Sequence, residues 1–127
     1  MNRKVIHSEK APKAIGPYSV AILCGNQVYC SGQIGIDPAT QALVPGGVEP
    51  ETRQALSNLQ QVLKDAGTDL ARAVKTMVFL RNMADFPVMN AVYAEFFPHE
   101  PPARSTIAVA GLPRGAAVEI ELVALVD

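Results

Sequence analysis

The chain has no tryptophan, only two cysteines and only two histidines. Cys24 and Cys30 flank the segment GNQVY, whose Gly-Asn pair predicts a hairpin turn. In that register Cys24 faces Gln27 and Cys30 faces Ala21, so the two thiols are poor candidates for a disulfide. We therefore expect both cysteines to serve as small buried hydrophobic side chains.

Metal and cofactor motifs are also missing from the sequence. His7 and His99 lie far apart along the chain, and together with the two cysteines they show no zinc-binding spacing. There is no Walker loop and no dinucleotide-binding fingerprint, since the PGG segment at residues 45–47 lacks the required context. The sequence therefore indicates neither a metal-dependent nor a cofactor-dependent reaction.

Neither a strong net charge nor a long apolar run is present. Eleven basic and twelve acidic side chains give a formal net charge of -1, which provides no long-range attraction for nucleic acid or anionic membranes. The first residues are polar and charged, and no apolar run is long enough to span a bilayer. We therefore expect a cytoplasmic chain with neither a nucleic-acid nor a membrane partner.

Length and composition predict one folded domain. A chain of 127 residues is long enough to bury one core but too short for two. A hydrophobic content of 49% with 18% charged residues excludes a disordered chain, which would carry more charge and less apolar surface. We therefore predict a single domain spanning residues 1–127.

The first half of the chain predicts three strands followed by a helix. The segments KVIHS, YSVAILCG and QVYCSGQIGI are short, rich in β-branched residues and bounded by turn residues, and DPATQALVPGGVEPE follows as a loop. The helix begins at Pro50 and Glu51, which suit a first turn, and ends before Gly67. Its apolar stripe consists of Ala55, Leu56, Leu59, Val62, Leu63 and Ala66.

The second half predicts a strand, a helix and two more strands. AVKTMVFLR is apolar on both faces, and Asp85 is the predicted N-cap of a helix that has Pro87 in its first turn and ends before Pro98. STIAVAGL and AAVEIELVALV follow as strands joined by the turn PRGA. The result is an α+β fold with a mixed six-stranded sheet and two helices, which cover one face. We infer that the other face packs against copies of the chain in a closed symmetric oligomer.

Arg104 is the first candidate site residue. The prolines that precede it in PPARSTIAV restrict the backbone and so limit the positions that its guanidinium can reach. A guanidinium binds a carboxylate through two parallel hydrogen bonds, which an ammonium cannot reproduce. The alternative, which spacing alone favours, is a solvated charge at the edge of a strand.

A pair of glutamates is the second candidate. Glu119 and Glu121 alternate in VEIELVALV, so both project from the same face of the predicted strand. If that face is the oligomer interface, a partly buried glutamate can hold a raised pKa and act as a general acid or position a water molecule. The alternative is the polar outward face of an edge strand.

Other polar positions have weaker signals. Tyr18 follows a Gly-Pro step and either donates a hydrogen bond into a site or covers the core. Ser31 precedes Gly32, where the backbone can approach a ligand or another strand, but the sequence around Ser31 provides no general base for a nucleophile. Asn90 borders the apolar stripe of the second helix, where it either reaches a cleft or is an ordinary exposed asparagine.

Six segments together resemble the Rid family of imine and enamine deaminases, also called the YjgF/YER057c/UK114 family. They are APKAIGPYSVA, VYCSGQIGIDPATQALV, TRQALSNLQQVLKDAG, VKTMVFLRNMADFPVMNAVYAEFF, PPARSTIAV and GAAVEIELVAL. The resemblance covers nearly the whole chain, with SGQI, NAVYAEFF, PARS and VEIE in the expected order. It implies a chorismate-mutase-like (YjgF/L-PSP-like) fold that assembles as a homotrimer with clefts between subunits.

The resemblance also implies an activity and a set of site residues. Members hydrolyse reactive 2-imino acids such as 2-iminopropanoate and 2-iminobutanoate to 2-keto acids and ammonia, which protects pyridoxal-phosphate enzymes from damage. Arg104 matches the arginine that binds the substrate carboxylate, and Glu119 matches the acid that positions water. The matching pocket positions are Tyr18, Ser31, Gly32, Asn90 and Thr106. Many bacterial members have a cysteine where this chain has Thr106, which puts regulation through a thiol in doubt rather than hydrolysis.

Two other functions stay open on the sequence alone. A ribonuclease or translation inhibitor, a label attached to some relatives, requires a basic groove and paired acid-base groups. The net charge of -1 and the distant His7 and His99 do not supply these features. A sensor or chaperone-like trimer that binds small carboxylates without turning them over is the second alternative.

Overall fold

The structure, a computed structural model, describes residues 2–127. Its strands and α-helices, in chain order, are β1 (Arg3–Ile6), β2 (Ala21–Cys24), β3 (Gln27–Gln33), β4 (Ile36–Asp37), β5 (Ala42–Leu43), α1 (Val48–Asp65), β6 (Ala73–Leu80), α2 (Phe86–Phe96), β7 (Ala103–Ala108) and β8 (Val118–Leu125). Short 3-10 turns occur at Leu70–Arg72, Met83–Asp85 and Pro113–Gly115. The order of elements is the predicted one, with a short hairpin of β4 and β5 inside the segment predicted to be a loop.

Six strands form one mixed sheet in the order β1-β2-β3-β8-β6-β7. Neighbouring strands are antiparallel except β6 and β7, which are parallel and are connected by α2. β4 and β5 pair in a separate two-stranded sheet. The predicted six-stranded sheet is confirmed. β7 and β8 are not neighbours in it, because β6 lies between them.

One face of the sheet carries both helices and the main core. Along β8, Val118, Ile120 and Leu122 are buried, whereas the residues that alternate with them are half-buried or exposed. α1 packs on β3 and β8 and against α2. The Tyr93 hydroxyl of α2 hydrogen-bonds the Thr76 hydroxyl of β6 at 2.7 Å, which places α2 on this same face. The two helices therefore cover one face, as predicted.

The first helix follows its predicted apolar stripe closely. It begins at Val48, two residues earlier than predicted, and every predicted stripe residue is fully buried except the half-buried Ala66. The N–H of Thr68 donates to the carbonyl of Leu63 at 2.9 Å, while Gly67 has a positive φ of 89°. This geometry closes the helix as predicted, because glycine adopts the left-handed conformation with little strain.

The N-terminus of α2 differs from the prediction. Asp85 occupies the N-cap position, as predicted, but its side chain makes no capping hydrogen bond. Instead the Oδ1 of Asn82 accepts a hydrogen bond from the N–H of Ala84 at 3.0 Å, in the 3-10 turn before the helix. The chain thus enters α2 from a turn that is already capped upstream. Pro87 lies in the first turn, as predicted.

The strand register also decides the position of the two cysteines. Cys24 pairs with Gln27 and Cys30 with Ala21, as predicted, so the thiols are not opposite each other. Cys30 is buried, and its burial raises the pKa of the thiol to about 12. Cys24 is half-buried. Cys30 is therefore a core side chain rather than a reactive thiol.

The other face of the sheet, within residues 2–127, has no helix packed on it. Tyr29 is 48% exposed there, and Met77 and Phe79 are only half-buried. We call this surface the open face, and its central residues are Tyr29, Met77, Phe79, Glu119, Glu121 and Val123. Large apolar side chains that are left uncovered beside two carboxylates mark a surface for interaction.

Candidate functional site

A cleft of about 570 Å³ lies beside the carboxylates of the open face. Four of the site residues predicted from the sequence line it, together with Glu121. They are Tyr18, Ser31, Gly32 and Glu119. The structure therefore brings together residues from the loop before β2, from β3 and from β8.

The side chain of Glu119 lies directly over the backbone of Gly32. A Cβ atom added at Gly32 would stand only 2.8 Å from the carboxyl carbon of Glu119 and 2.8 Å from one of its oxygens. Real Cβ atoms do not approach that closely, so the carboxylate can occupy this place only because residue 32 has no side chain. The close approach expected at Gly32 is to a glutamate of the neighbouring strand.

The surroundings of Glu119 make its charged form less favourable than in water. Partial burial raises the pKa of Glu119, and the nearby charge of Glu121 raises it further. A raised pKa makes a carboxylate a stronger proton acceptor than a free one, and the group can hold a water molecule by a hydrogen bond. Glu119 therefore stays a candidate for the acid-base role predicted from the sequence.

Ser31 and Tyr18 contribute polar groups of different kinds. The hydroxyl of Ser31 donates a hydrogen bond of 2.6 Å to the carbonyl of Ser19, which commits its proton to the backbone and argues against a nucleophilic role. Tyr18 is 48% exposed, and its hydroxyl oxygen accepts a long hydrogen bond of 3.4 Å from the N–H of Ile15. The phenol proton of Tyr18 is thus available to a bound molecule.

Arg104 lies away from this cleft, on the helix-covered face of the edge strand β7. It is aligned with Thr76 of β6, and its guanidinium carbon lies 4.6 Å from the ring centroid of Tyr93 and 5.5 Å from that of Phe86. Both rings belong to α2. Arg104 is therefore not freely solvated: it packs on aromatic side chains, and it has no acidic partner among residues 2–127.

Thr106 and Asn90 lie near Arg104 rather than near Glu119. Thr106 follows Arg104 by two residues on the same side of β7, and its buried Oγ1 has no hydrogen-bond partner among the described residues. Asn90 is exposed on α2, and helical spacing places it on the side of the helix that carries Phe86 and Tyr93. The predicted site residues thus fall into two groups.

A single chain does not bring the two groups together. On β6, Phe79 is the register partner of Glu119, and Thr76 is the register partner of Arg104. Residues three positions apart on a strand point to opposite faces of the sheet, so Arg104 and Glu119 do too. Within one chain, therefore, the sheet separates the side chains of Arg104 and Glu119.

Sequence reasoning missed two residues at the rim of the cleft. Arg114 and Gln41 both line it and both have positive φ, 57° and 59°, which is uncommon for residues with side chains. They are joined by a hydrogen bond of 2.8 Å from the Arg114 guanidinium to the Gln41 carbonyl. The PRGA turn was the only sequence signal at Arg114, and a turn signal does not say which cleft a side chain faces.

Across residues 2–127, no three His, Cys, Asp or Glu side chains lie close enough together to hold a metal ion. Neither α1 nor α2 combines the length and the apolar character needed to cross a membrane.

Comparison with known proteins gives consistent matches over almost the full length. A family model described as Endoribonuclease L-PSP matches residues 8–126. A Mus musculus protein named 2-iminobutanoate/2-iminopropanoate deaminase is 51% identical over 123 residues, which cover 97% of this chain and 91% of that protein. The solved structure of the Rid-family protein YyfA from Yersinia pestis is 46% identical, with a TM-score of 0.94 over 98% of this chain and all of that one. TdcF from E. coli, solved with bound serine, is 36% identical, with a TM-score of 0.91 over 98% and 99% of the two chains.

Proposed function

The chain belongs to the Endoribonuclease L-PSP family, which is the YjgF/Rid family, and on this basis we propose that it hydrolyses small 2-imino acids to 2-keto acids and ammonia. The observation that carries the proposal is the 51% identity to a 2-iminobutanoate/2-iminopropanoate deaminase over nearly the full length of both proteins. The expected substrates are accordingly 2-iminopropanoate and 2-iminobutanoate. The half-buried Glu119 in an open cleft supports this chemistry.

The proposed active form is a homotrimer with one cleft at each interface, acting in the cytoplasm. The open face, with Tyr29, Met77 and Phe79 uncovered, supplies the apolar surface for such an assembly. Arg104 and Glu119 lie on opposite faces of one sheet, so a shared substrate requires Arg104 from one subunit and Glu119 from its neighbour. Assembly therefore completes the proposed site.

In the proposed mechanism Arg104 binds the substrate carboxylate through two parallel hydrogen bonds. This contact holds the C=N carbon in place, so the attack of water requires little further ordering. Glu119 accepts a proton from a water molecule while the water oxygen bonds to that carbon, the C=N electron pair moves to nitrogen, and Glu119 passes the proton to that nitrogen. The hydroxyl proton of the tetrahedral carbinolamine then moves to nitrogen by way of Glu119, the C–N bond breaks to release ammonia, and the hydroxyl oxygen becomes the carbonyl oxygen of the 2-keto acid.

The remaining predicted residues have supporting roles in this proposal. The phenol of Tyr18 donates toward the reacting end of the substrate, and the backbone at Ser31 and Gly32 forms the wall that excludes larger acids. Asn90 and the hydroxyl of Thr106 lie on the Arg104 side and face the carboxylate end. No residue here needs to form a covalent bond with the substrate, because imines already hydrolyse in water.

The test couples a threonine dehydratase to this protein and traps the released imine with semicarbazide. Wild type should compete with the trap, and Arg104→Ala should lose roughly thirty- to a thousandfold in kcat/KM, since a charge-assisted bidentate contact is worth about 2 to 4 kcal/mol. Arg72→Ala is the matched control, because Arg72 pairs with Asp127 on the surface. Full activity of Arg104→Ala would contradict the assigned role of Arg104.

The same protein preparation distinguishes the two other functions. Binding of 2-oxobutanoate without any protection from semicarbazide would favour a carboxylate-binding trimer over an enzyme. Cleavage of RNA that is abolished by high salt would favour the ribonuclease that the family description names. We expect neither outcome, because the cleft places Glu119 and Glu121 beside the cations Lys13 and Arg114 rather than forming a basic groove.

A further inference from the structure

The guanidinium of Arg104 is held in an unusual way for this molecule. Arg53 and Arg72 each bind a carboxylate, at 2.9 Å and 2.7 Å in their closest ion pairs. Arg104, by contrast, contacts ring faces at 4.6 Å and 5.5 Å, and within residues 2–127 it has no hydrogen bond or ion pair. All five of its N–H donors are thus uncommitted in the single chain.

The aromatic side chains under Arg104 are themselves fixed. Tyr93 is 5% exposed, its hydroxyl bonds Thr76 at 2.7 Å, and its ring lies 4.5 Å from that of Phe97. Phe86 is half-buried in the first turn of α2 and packs against the main core. The two rings therefore form a rigid support, which we call the aromatic platform (Phe86 and Tyr93).

The two ways of holding a guanidinium have different consequences for an incoming anion. A carboxylate partner binds the N–H edge of the guanidinium and neutralises it, so a substrate carboxylate must displace that partner. A ring contacts the flat face through its quadrupole and leaves the N–H edge free. The aromatic platform restricts Arg104 without occupying the atoms that a carboxylate needs.

We propose that Phe86 and Tyr93 are positioning residues that hold Arg104 in its carboxylate-binding orientation. This inference rests on the proposed function, in which Arg104 binds the substrate carboxylate. The platform acts through Arg104 and does not contact the reacting carbon. Because it orders Arg104 before the substrate arrives, the substrate loses less of its binding energy to ordering that side chain.

The platform has a kinetic signature that a general loss of structure would not reproduce. Arg104 contacts the carboxylate in both the bound substrate and the transition state, so a looser Arg104 should raise KM with a smaller change in kcat. We expect Tyr93→Leu and Phe86→Leu each to raise KM for 2-iminobutanoate roughly three- to thirtyfold. The dissociation constant of the product 2-oxobutanoate should rise by the same factor.

Two controls separate the effect of the Tyr93 ring on KM from the effects of its hydroxyl group and of its packing. The double variant Thr76→Val with Tyr93→Phe removes both hydroxyls of the buried pair but keeps the ring, so its KM should stay close to the wild-type value. Di- and trifluorophenylalanine at position 93, in the Thr76→Val background, keep the ring shape but withdraw charge from its face. KM should therefore rise with the number of fluorine atoms, while the melting temperature changes little.

A double-mutant cycle with Arg104 gives the decisive comparison. If the platform acts through Arg104, Tyr93→Leu should have no further effect on 2-oxobutanoate binding once Arg104→Ala is present. Two results would contradict the proposal that the platform positions Arg104. One is an effect of Tyr93→Leu that persists when Arg104 is absent, and the other is a KM that stays constant across the fluorine series. Wild type that binds the keto acid but does not hydrolyse the imine contradicts only the proposed function, since the binding cycle still tests the platform. Wild type that does neither contradicts both.

Discussion

At the scale of single residues, the contact between Glu119 and Gly32 leaves no room for a side chain at position 32. The carboxylate occupies the volume where any other residue at position 32 would have its Cβ. Partial burial and the charge of Glu121 together raise the pKa of Glu119. The chemistry proposed for one side chain therefore depends on the absence of another.

Gly32→Ala should displace Glu119 and lower kcat/KM about ten- to a hundredfold, because small misplacements of a reacting group are costly. Gly111→Ala is the matched control, since a Cβ at Gly111 meets no atom within 4 Å and its φ is not in the left-handed region. Semicarbazide trapping, with circular dichroism to verify folding, measures both. Equal activity in the two variants would show that the position of Glu119 over Gly32 does not matter.

The sequence could propose candidate site residues but not how the fold groups them. Alternation along VEIE placed Glu119 and Glu121 on one face, and the structure has them so. Spacing alone favoured a solvated Arg104, because nothing local to PPARS indicates that Phe86 and Tyr93, from a helix earlier in the chain, lie beneath it. Such a contact depends on the packing of α2 on the sheet, which no short motif encodes.

At the scale of elements, the first turn of α1 links the helix to the strand that carries Glu119. Glu51 is 4% exposed, and its carboxylate accepts a hydrogen bond of 2.7 Å from the N–H of Ala117, just before β8. A Cβ at Gly35 would lie 2.7 Å from the Cα of Glu51, so this turn also packs closely against the backbone of the chain after β3. The sequence predicted Glu51 as a first-turn acid, but its burial follows from these two tertiary contacts.

Glu51→Ala should lower the free energy of unfolding by about 1 to 3 kcal/mol, because it leaves the buried N–H of Ala117 without an acceptor. Glu51→Gln keeps an acceptor oxygen and should lose less. Glu49→Ala, in the same turn but with an exposed ion pair to Arg53, should change stability by less than about 1 kcal/mol. Urea denaturation measures all three, and indistinguishable values for Glu51→Ala and Glu49→Ala would contradict the link.

At the scale of the whole molecule, the proposed assembly of several copies explains two features at once. It would cover the open face, and it would bring Arg104 of one copy to Glu119 of another. The two-sided apolar pattern of AVKTMVFLR predicted this arrangement, since Val78 and Leu80 enter the core while Met77 and Phe79 stay on the open face. The pattern favours a partner surface, but the geometry of the proposed assembly depends on shape complementarity between whole faces, which a sequence pattern does not specify.

Two inactive variants should therefore restore activity when they share a trimer. Co-expressed Arg104→Ala and Glu119→Gln subunits should form mixed trimers that each have one cleft with both intact residues, or about a quarter of all clefts if the subunits mix randomly in equal amounts. Each variant alone should be nearly inactive in the semicarbazide assay. Mixed trimers as inactive as the separate variants would show that the two residues do not act in one cleft between subunits.

The sheet order also has a consequence for how the protein is made. β8 is the last strand in the described chain, yet it lies between β3 and β6 near the middle of the sheet. Without β8, the strands β1 to β3 and the pair of β6 and β7 would be two separate sheets, and β3 and β6 would each lack a partner on one side. Only the arrival of β8 joins them, and it also carries Glu119 into place. Until β8 has paired, the nascent chain exposes strand edges that can pair wrongly with other chains, so chaperone protection matters most before β8 joins the sheet.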